Sequence, residues 1–183
     1  FMASKKEIVE EAYPGDVVGL YDSGNFKIGD SLTEGEKLHF KGLPSFSPEI
    51  FRFVDNKDPM RYKQFQKGID QLMDEGVAQL FVREMDGRRI IGVVGALQFE
   101  VIQYRMEQEY TARVSYEETN FRKACWVTCD NPAELKIFKQ RRSRDLAKDK
   151  DGRLCFMAES KWMLKMAQEN HPEVKFHFTS EFG

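Results

Sequence analysis

The order of extended and helical patterns between residues 49 and 118 constrains the fold of this chain more than any other feature. Read in order, these are a strand at 49–54, a helix at 58–76, a hairpin at 78–94, a helix at 96–110 and a strand at 112–116. The helix at 58 begins with an aspartate followed by proline, which is a common way to start a helix. This β-α-β-β-α-β order is typical of a ferredoxin-like sandwich, so we predict such a core at about 48–118.

The apolar residues of the two helices predict which side of each faces the sheet. A period of 3.6 residues groups apolar side chains on one side of a helix. In the first helix these inward residues are Tyr62, Phe65, Ile69, Leu72 and Met73. In the second helix we expect Leu97, Val101, Ile102 and Tyr104 to point inward.

A second set of patterns follows the predicted core and forms an extension at about 122–180. It begins with a strand at 123–129 and a helix that starts at Asn131-Pro132 and runs to about Ala147. A strand at 154–158, a helix at 161–170 and a strand at 174–178 complete it. The extension is therefore predicted as β-α-β-α-β, and the sequence shows no internal repeat.

The first 42 residues have a different character. Strand patterns at 15–21 and 26–33 flank a turn at 22–25, which predicts a hairpin. Because an isolated hairpin is only marginally stable, we interpret residues 1–42 as the C-terminal part of a β-barrel domain, with a boundary near Leu43 and an α/β domain at 43–183. The fold class is therefore α+β. Since Met2 follows Phe1, we expect the chain to be a piece of a longer protein.

Composition limits the environment and the partners of the chain. Its longest apolar run, Ile90 to Leu97, is far shorter than the roughly 20 residues of a membrane-spanning helix. Three cysteines are an odd number in a chain large enough to need no disulfides, which favours a reducing compartment and a cytoplasmic protein. The formal net charge is -2, so any binding of nucleic acid must depend on a local basic patch.

No set of residues predicts catalysis or metal binding. The sequence contains no Gly-x-x-x-x-Gly-Lys-Ser/Thr loop, which would be needed to surround nucleotide phosphates. The three histidines fall in different predicted elements, and Cys125 and Cys129 are too far apart along one strand to share a zinc ion. We therefore assign no catalytic, cofactor-binding or metal-binding residue and predict that this chain is not itself an enzyme.

One group of cations is a candidate binding surface. Its members lie near the predicted end of the helix that starts at Asn131, and they are Lys139, Arg141, Arg142, Arg144, Lys148 and Lys150, with Arg88 and Arg89 as a weaker addition at a hairpin tip. Such a group can bind RNA phosphates. Cations also favour helix C-termini without any ligand, so a solvated helix end remains the alternative.

Two parts of the sequence resemble translational GTPases of the elongation-factor-G type. Residues 12–20 (AYPGDVVGL) and 28–33 (IGDSLT) are similar to the end of their second, β-barrel domain. A closer resemblance is to the C-terminal half of bacterial peptide chain release factor three. It is carried by residues 10–16 (EEAYPGD), 57–59 (KDP), 71–76 (QLMDEG), 94–101 (VGALQFEV) and 167–172 (AQENHP).

This resemblance implies a parent protein that acts on the bacterial ribosome. Members of the family are GTPases that help codon-reading release factors to dissociate after the peptide has been freed. Their GTP and magnesium are held by an N-terminal domain that this chain lacks, so the resemblance transfers no catalytic residue. The implied partners are ribosomal RNA and proteins, the missing GTPase domain and, indirectly, the release factors. We expect this half to relay nucleotide state through ribosome contacts.

Two other functions remain open at this point. A βαββαβ module can bind a small metabolite between its strands and helices, which would make the chain a regulatory sensor. A direct RNA-binding domain is a further alternative, although the net charge is negative and the predicted strands lack an aromatic platform for RNA bases.

Overall fold

The computed structural model describes residues 8–21, 31–36 and 47–180. The first half of the last range contains β1 (Ile50–Asn56), α1 (Tyr62–Asp74), β2 (Gln79–Arg83), β3 (Arg89–Val93), α2 (Leu97–Tyr110) and β4 (Val114–Glu118). The second half contains β5 (Lys123–Cys129), α3 (Pro132–Arg141), β6 (Leu146–Asp149), β7 (Leu154–Ala158), α4 (Lys161–Asn170) and β8 (Val174–His177). These elements confirm the predicted α+β class.

The first half has the predicted β-α-β-β-α-β order, and its strands lie side by side as β4-β1-β3-β2. Every neighbouring pair is antiparallel, with Phe53 opposite Ile90 and Val54 opposite Tyr116. The predicted helix start is also confirmed: the Asp58 side chain accepts a hydrogen bond from the Met60 amide at 3.1 Å, at the head of a 3₁₀ turn that leads into α1.

The second half contains one strand more than the sequence predicted. The predicted helix to about Ala147 ends at Arg141, and a 3₁₀ turn at Ser143–Asp145 leads into β6. Leu146, Ala147 and Lys148 are good helix formers, so their local preference conceals a strand that exists because it pairs with β2 and β7. The extension is therefore β-α-β-β-α-β.

With this strand included, the second half repeats the topology of the first, although no repeat is visible in the sequence. Its strand order β6-β7-β5-β8 corresponds to β2-β3-β1-β4. The two halves join where β2 pairs antiparallel with β6, with Arg83 opposite Ala147. One eight-stranded antiparallel sheet results, and its two halves are related by approximate twofold topology about the β2–β6 seam.

The sheet is strongly curled, as the connection between its halves shows. β4 lies at one edge and β5 is the seventh strand, so in a flat sheet they would be about 29 Å apart. Only residues 119–122 connect them, and these can span at most about 18 Å. A hydrogen bond across the same gap supports the curl: the Ala124 amide at the start of β5 donates to Ser47 Oγ, just before β1, at 2.9 Å.

The apolar side chains form three cores, of which the third depends on the curl of the sheet. The first lies between α1, α2 and the first four strands, and Phe65, Ile69 and Ile102 are fully buried there. The equivalent core of the second half contains Phe138 and Phe156. The third has no helical residue and lies on the inner side of the curled sheet, with members from both halves: Phe51, Phe53, Phe81, Ile90, Phe121, Ala124, Trp126, Ala147, Cys155 and Met157.

The predicted inward side of α2 is correct only for Ile102. Phe99, Ile102 and Met106 are buried, whereas Leu97, Val101 and Tyr104 are 68%, 42% and 67% exposed. The helix has apolar residues on two sides, and the side with Phe99 faces the sheet. There the Phe99 ring packs edge-to-face on Tyr116, with 5.1 Å between the ring centroids. In α1 the predicted residues are buried except Tyr62, which is 52% exposed.

Residues 8–21 and 31–36 contain no strand, so the strand predicted at 15–21 is not formed. A turn occurs instead, in which the Asp16 amide donates to the Tyr13 carbonyl at 2.9 Å. A strand requires a hydrogen-bonded neighbour, and none of the described residues supplies one here. The predicted boundary near Leu43, and most of the partner strand at 26–33, lie outside the described residues.

Candidate functional site

The predicted basic group lies where α3 ends. The helix begins at Asn131, whose side chain accepts a hydrogen bond from the Ala133 amide at 3.0 Å, and it ends at Arg141. The 3₁₀ turn that follows carries Arg144 and leads directly into β6. Because the last carbonyl groups of a helix carry partial negative charge, cations at this end are locally favourable.

Two lysines of the predicted group lie next to the Glu84 carboxylate, and the arginines do not. Its carboxylate lies 3.6 Å from both Lys139 Nζ and Lys148 Nζ, at the end of β2 where the seam with β6 begins. The Glu84 amide also donates to the Leu146 carbonyl at 2.9 Å, which fixes this carboxylate beside the seam. The two lysines are therefore partly neutralised by a carboxylate.

Three arginines have no such partner. Arg141 and Arg144 are exposed and Arg142 is half-buried, and none of them forms an ion pair with any residue in the described ranges. Asp145, which follows Arg144, is half-buried, and burial raises the pKa of its carboxyl group, while Arg142 and Arg144 oppose that rise. These guanidinium groups are free to contact a ligand. We call Arg141, Arg142 and Arg144 the arginine cluster.

Lys150 Nζ lies 3.4 Å from Asp74 Oδ1, and the two remaining predicted cations also have structural partners. Arg88 lies over the Phe53 ring at 3.9 Å and donates to Asp55 at 3.0 Å and to Glu117 at 2.6 Å. This contact lowers the pKa of the Glu117 carboxyl group. Arg89 donates to the Tyr62 hydroxyl at 3.1 Å and to the Gln66 side chain, on the α1 side of the sheet. Both arginines support the first half, and their predicted role in binding stays a prediction.

Sequence reasoning did not associate the start of α4 with this surface. Since β5 and β7 are antiparallel, the helices that follow them, α3 and α4, begin at opposite ends of the sheet and run in opposite directions. At one end, His171 after α4 lies 2.8 Å from Glu134 in the first turn of α3. At the other end, the arginine cluster lies on the side where α4 begins, with Lys161 and Trp162 in its first turn. A topology prediction that included β6 would have found this neighbourhood.

The candidate chemistry of the other polar groups is limited by burial. Cys125 and Cys155 are buried, and burial raises the pKa of both thiols, that of Cys125 to about 11. His177 shares a hydrogen bond of 2.7 Å with Thr128 Oγ1, and His39 is outside the described ranges. Within those ranges no group of three or more His, Cys, Asp or Glu side chains could hold a metal ion.

Two grooves of the described surface lack the features of a GTP site. One of about 580 Å³ runs along α1 and is lined by Tyr62, Lys63, Gln66, Lys67, Asp70, Gln71 and Asp74. Another of about 770 Å³ lies between the loops after β1 and α2 and is lined by Lys57, Asp58, Arg61, Glu107, Gln108, Thr111 and Arg113. A triphosphate requires backbone N–H groups of a glycine-rich loop around a lysine, whereas these grooves mix carboxylates with cations.

Two comparisons with protein families identify the kind of protein to which these elements belong. Residues 40–168 match the class II release factor RF3, C-terminal domain, and residues 1–35 match elongation factor G domain 2. The first match covers more than half of the chain. The chain belongs to the RF3 C-terminal domain family. The resemblance stated from the sequence motifs is thereby confirmed, and the chain is part of a translational GTPase-type factor.

Both matched domains of this RF3-family chain are distinct from the nucleotide-binding domain of such factors. The RF3 match includes the arginine cluster and the start of α4. It therefore assigns the candidate surface to the release-factor domain, not to the N-terminal match. Among the helices of the described ranges, none is both long and apolar enough to cross a membrane.

Proposed function

We propose that this chain is the non-catalytic part of a ribosome-dependent GTPase that stimulates translation termination. On this proposal the full-length factor promotes dissociation of codon-reading release factors, and this half relays nucleotide state through ribosome contacts. GTP and magnesium are bound by the N-terminal domain of the family, and the protein works in the cytoplasm, where its ribosomes are. The observation that carries the proposal is the match of residues 40–168 to the C-terminal domain of release factor RF3.

The arginine cluster supports a direct contact with ribosomal RNA. Its guanidinium groups form no ion pair with a carboxylate within the described ranges, although the chain as a whole has a net charge of -2. Arginine donates hydrogen bonds to phosphate through a planar fork of N–H groups. Each unpaired guanidinium can therefore bind one phosphate without breaking an existing ion pair. Local positive charge on a negative chain favours a specific docking position over general attraction to RNA.

The continuous sheet supports the relay part of the proposal. The β2–β6 seam and the apolar core on the inner side of the sheet join both halves. A ribosome contact at the arginine cluster would therefore move both halves together. A two-state factor changes its affinity for a partner only if the partner contacts differ between states. Moving one such body against the GTPase domain changes which contacts with the ribosome are possible.

Charge reversal of the arginine cluster tests the RNA contact. In the full-length factor, the triple substitution R141E/R142E/R144E is expected to weaken ribosome binding and to reduce the slope of log K against log salt concentration by about 2 to 3, since each lost phosphate contact removes about 0.7 to 0.9. The matched control is K57E/K63E/K67E, which makes the same charge change at exposed lysines of the first half. Binding with an unchanged salt slope would exclude the arginine cluster as an RNA contact.

A functional assay tests the termination role. Ribosomes stalled after peptide release with a codon-reading release factor in place are mixed with the full-length factor and GTP, and the rate at which the release factor leaves is measured. We expect the wild-type factor to raise this rate and the R141E/R142E/R144E variant to require a higher factor concentration for the same effect. An unchanged dissociation rate with the wild-type factor would contradict the proposed role.

A further inference from the structure

The structure brings the arginine cluster and the first turn of α4 to the same edge of the sheet. In the antiparallel pair β6–β7, Leu146 lies opposite Phe156. The 3₁₀ turn that carries Arg144 directly precedes Leu146 and contacts β7. Burial is the main cause of the raised pKa of the Asp145 carboxyl group, and Glu159, the first residue after β7, contributes to it. Only Glu159 and Ser160 separate β7 from α4.

Trp162 is the most conspicuous side chain of this edge. It is 71% exposed, whereas Trp126 is buried. Its neighbours in the first turns of α4 are the exposed Lys161 and Lys165, of which Lys165 lies 3.7 Å from Glu169. Lys161 forms no ion pair within the described ranges. A large aromatic side chain in water loses the stabilisation that its burial would give, so this exposure favours a role in binding.

We propose that Trp162 is a stacking platform for an unpaired RNA base, and that the arginine cluster and Lys161 bind the phosphates on either side of that base. The proposal rests on the proposed ribosome contact and names the kind of RNA involved. Bases in a duplex already stack on their neighbours, so only an unpaired base can lie on an indole ring. Aromatic side chains surrounded by cations are a common arrangement for such nucleotides.

The composition of the edge favours RNA over a protein partner. Four cations, namely the arginine cluster and Lys161, face two acids, Glu159 and the half-buried Asp145. Among the apolar side chains in the first turn of α4, only Trp162 is strongly exposed, because Met163 and Leu164 are half-buried and pack against the core of the second half. An apolar protein ligand would require a wider apolar patch than a single ring offers.

Fluorescence provides a direct probe, because the chain has only two tryptophans and one of them is buried. A short unpaired oligouridylate and an RNA hairpin with a fully paired stem are each titrated into the 183-residue chain. We expect quenching of Trp162 emission by the unpaired RNA, little quenching by the paired stem, and none in the W162F variant. Equal quenching by both RNAs would overturn the proposal.

Substitutions separate stacking from other contacts. In ribosome binding by the full-length factor, W162A is expected to lose about 10- to 100-fold in affinity, which is the usual effect of removing one stacked aromatic side chain. W162F should retain most of the affinity, since a phenyl ring also stacks. Tyr104, which is 67% exposed on α2, supplies the control Y104A, for which we expect unchanged binding. Circular dichroism checks that each variant is folded.

The outcomes distinguish this inference from the proposed function. If R141E/R142E/R144E weakens ribosome binding and W162A does not, the stacking platform is refuted and the ribosome contact stands. If W162F is as weak as W162A, an indole-specific contact replaces stacking and the inference is likewise overturned. If W162A weakens ribosome binding while the oligouridylate does not quench Trp162, the residue contacts a protein. If none of these changes has an effect, both proposals fail.

Discussion

Asp149, the last residue of β6, is expected to contribute strongly to stability, and its replacement by alanine is a sharp test of the second half. Its side chain is 7% exposed and accepts four hydrogen bonds. Oδ2 accepts from Trp126 Nε1 at 2.8 Å and from Arg153 Nε at 2.7 Å, and Oδ1 accepts from the amides of Asp151 and Arg153. This one carboxylate therefore joins the inner core to the β6–β7 hairpin.

The loss of stability in D149A can be worked out from the groups that would lose their partner. The Trp126 N–H would be buried without an acceptor, which costs about 1–3 kcal/mol. Breaking a fully buried ion pair costs about 3–5 kcal/mol, but the Arg153 side chain is 37% exposed and regains water, so its share is smaller. We expect the free energy of unfolding to fall by about 2–4 kcal/mol, a large part of the roughly 5–15 kcal/mol of a typical domain.

Asp151 provides a matched control, because it binds the same arginine at the surface. Its carboxylate lies 2.8 Å from Arg153 Nη2, and its side chain is 54% exposed. The D151A variant should lose no more than about 1 kcal/mol. Urea unfolding of both variants, followed by circular dichroism, measures the difference. Values within about 1 kcal/mol of each other would refute the reasoning that burial gives Asp149 its weight.

Two further predictions concern packing and thiol reactivity. A methyl group at Gly92 would lie 2.5 Å from Pro48 Cγ, so G92A should cost about 1–3 kcal/mol, whereas G95A, with open space around it, should be nearly neutral; equal effects in urea unfolding would contradict this contact. In a thiol-labelling assay of the native chain, burial and raised pKa should protect Cys125 and Cys155 while the third cysteine reacts, and all three should react in denaturant. Fast labelling of three thiols in the native state would argue against the buried positions.

The first half could be predicted because each of its elements carries a complete local pattern. Strand alternation, the helical start that Asp58 caps and the turn between β2 and β3 all lie within a few residues of the element that they define. The orientation of α2 could not be predicted, since Leu97, Val101 and Tyr104 form as good an apolar stripe as Phe99, Ile102 and Met106. Contacts with the sheet decide between them.

The candidate surface was predicted only in part, for a similar reason. The cations at the end of α3 are adjacent in sequence, so the cluster itself was visible. The contact of Glu84 with two of the predicted lysines depends on the β6 strand. The position of the first turn of α4 at the same edge of the sheet also depends on the pairing of β6 with β7. Leu146 to Lys148 favour a helix locally and form a strand because two neighbours pair with them. Information of this kind lies in strand pairing across the sheet, not in the local pattern.

The four-residue connection between β4 and β5 has a mechanical consequence. Together with the seam, it attaches the second half to the first at two separate places, so residues 47–180 contain no single point about which one half could hinge. A displacement of the arginine cluster then moves α1 and α2 with it, because the two halves move together. Any swing of this domain during a nucleotide cycle must pivot outside residues 47–180, and labels attached to α1 and α4 should keep a constant distance throughout that cycle.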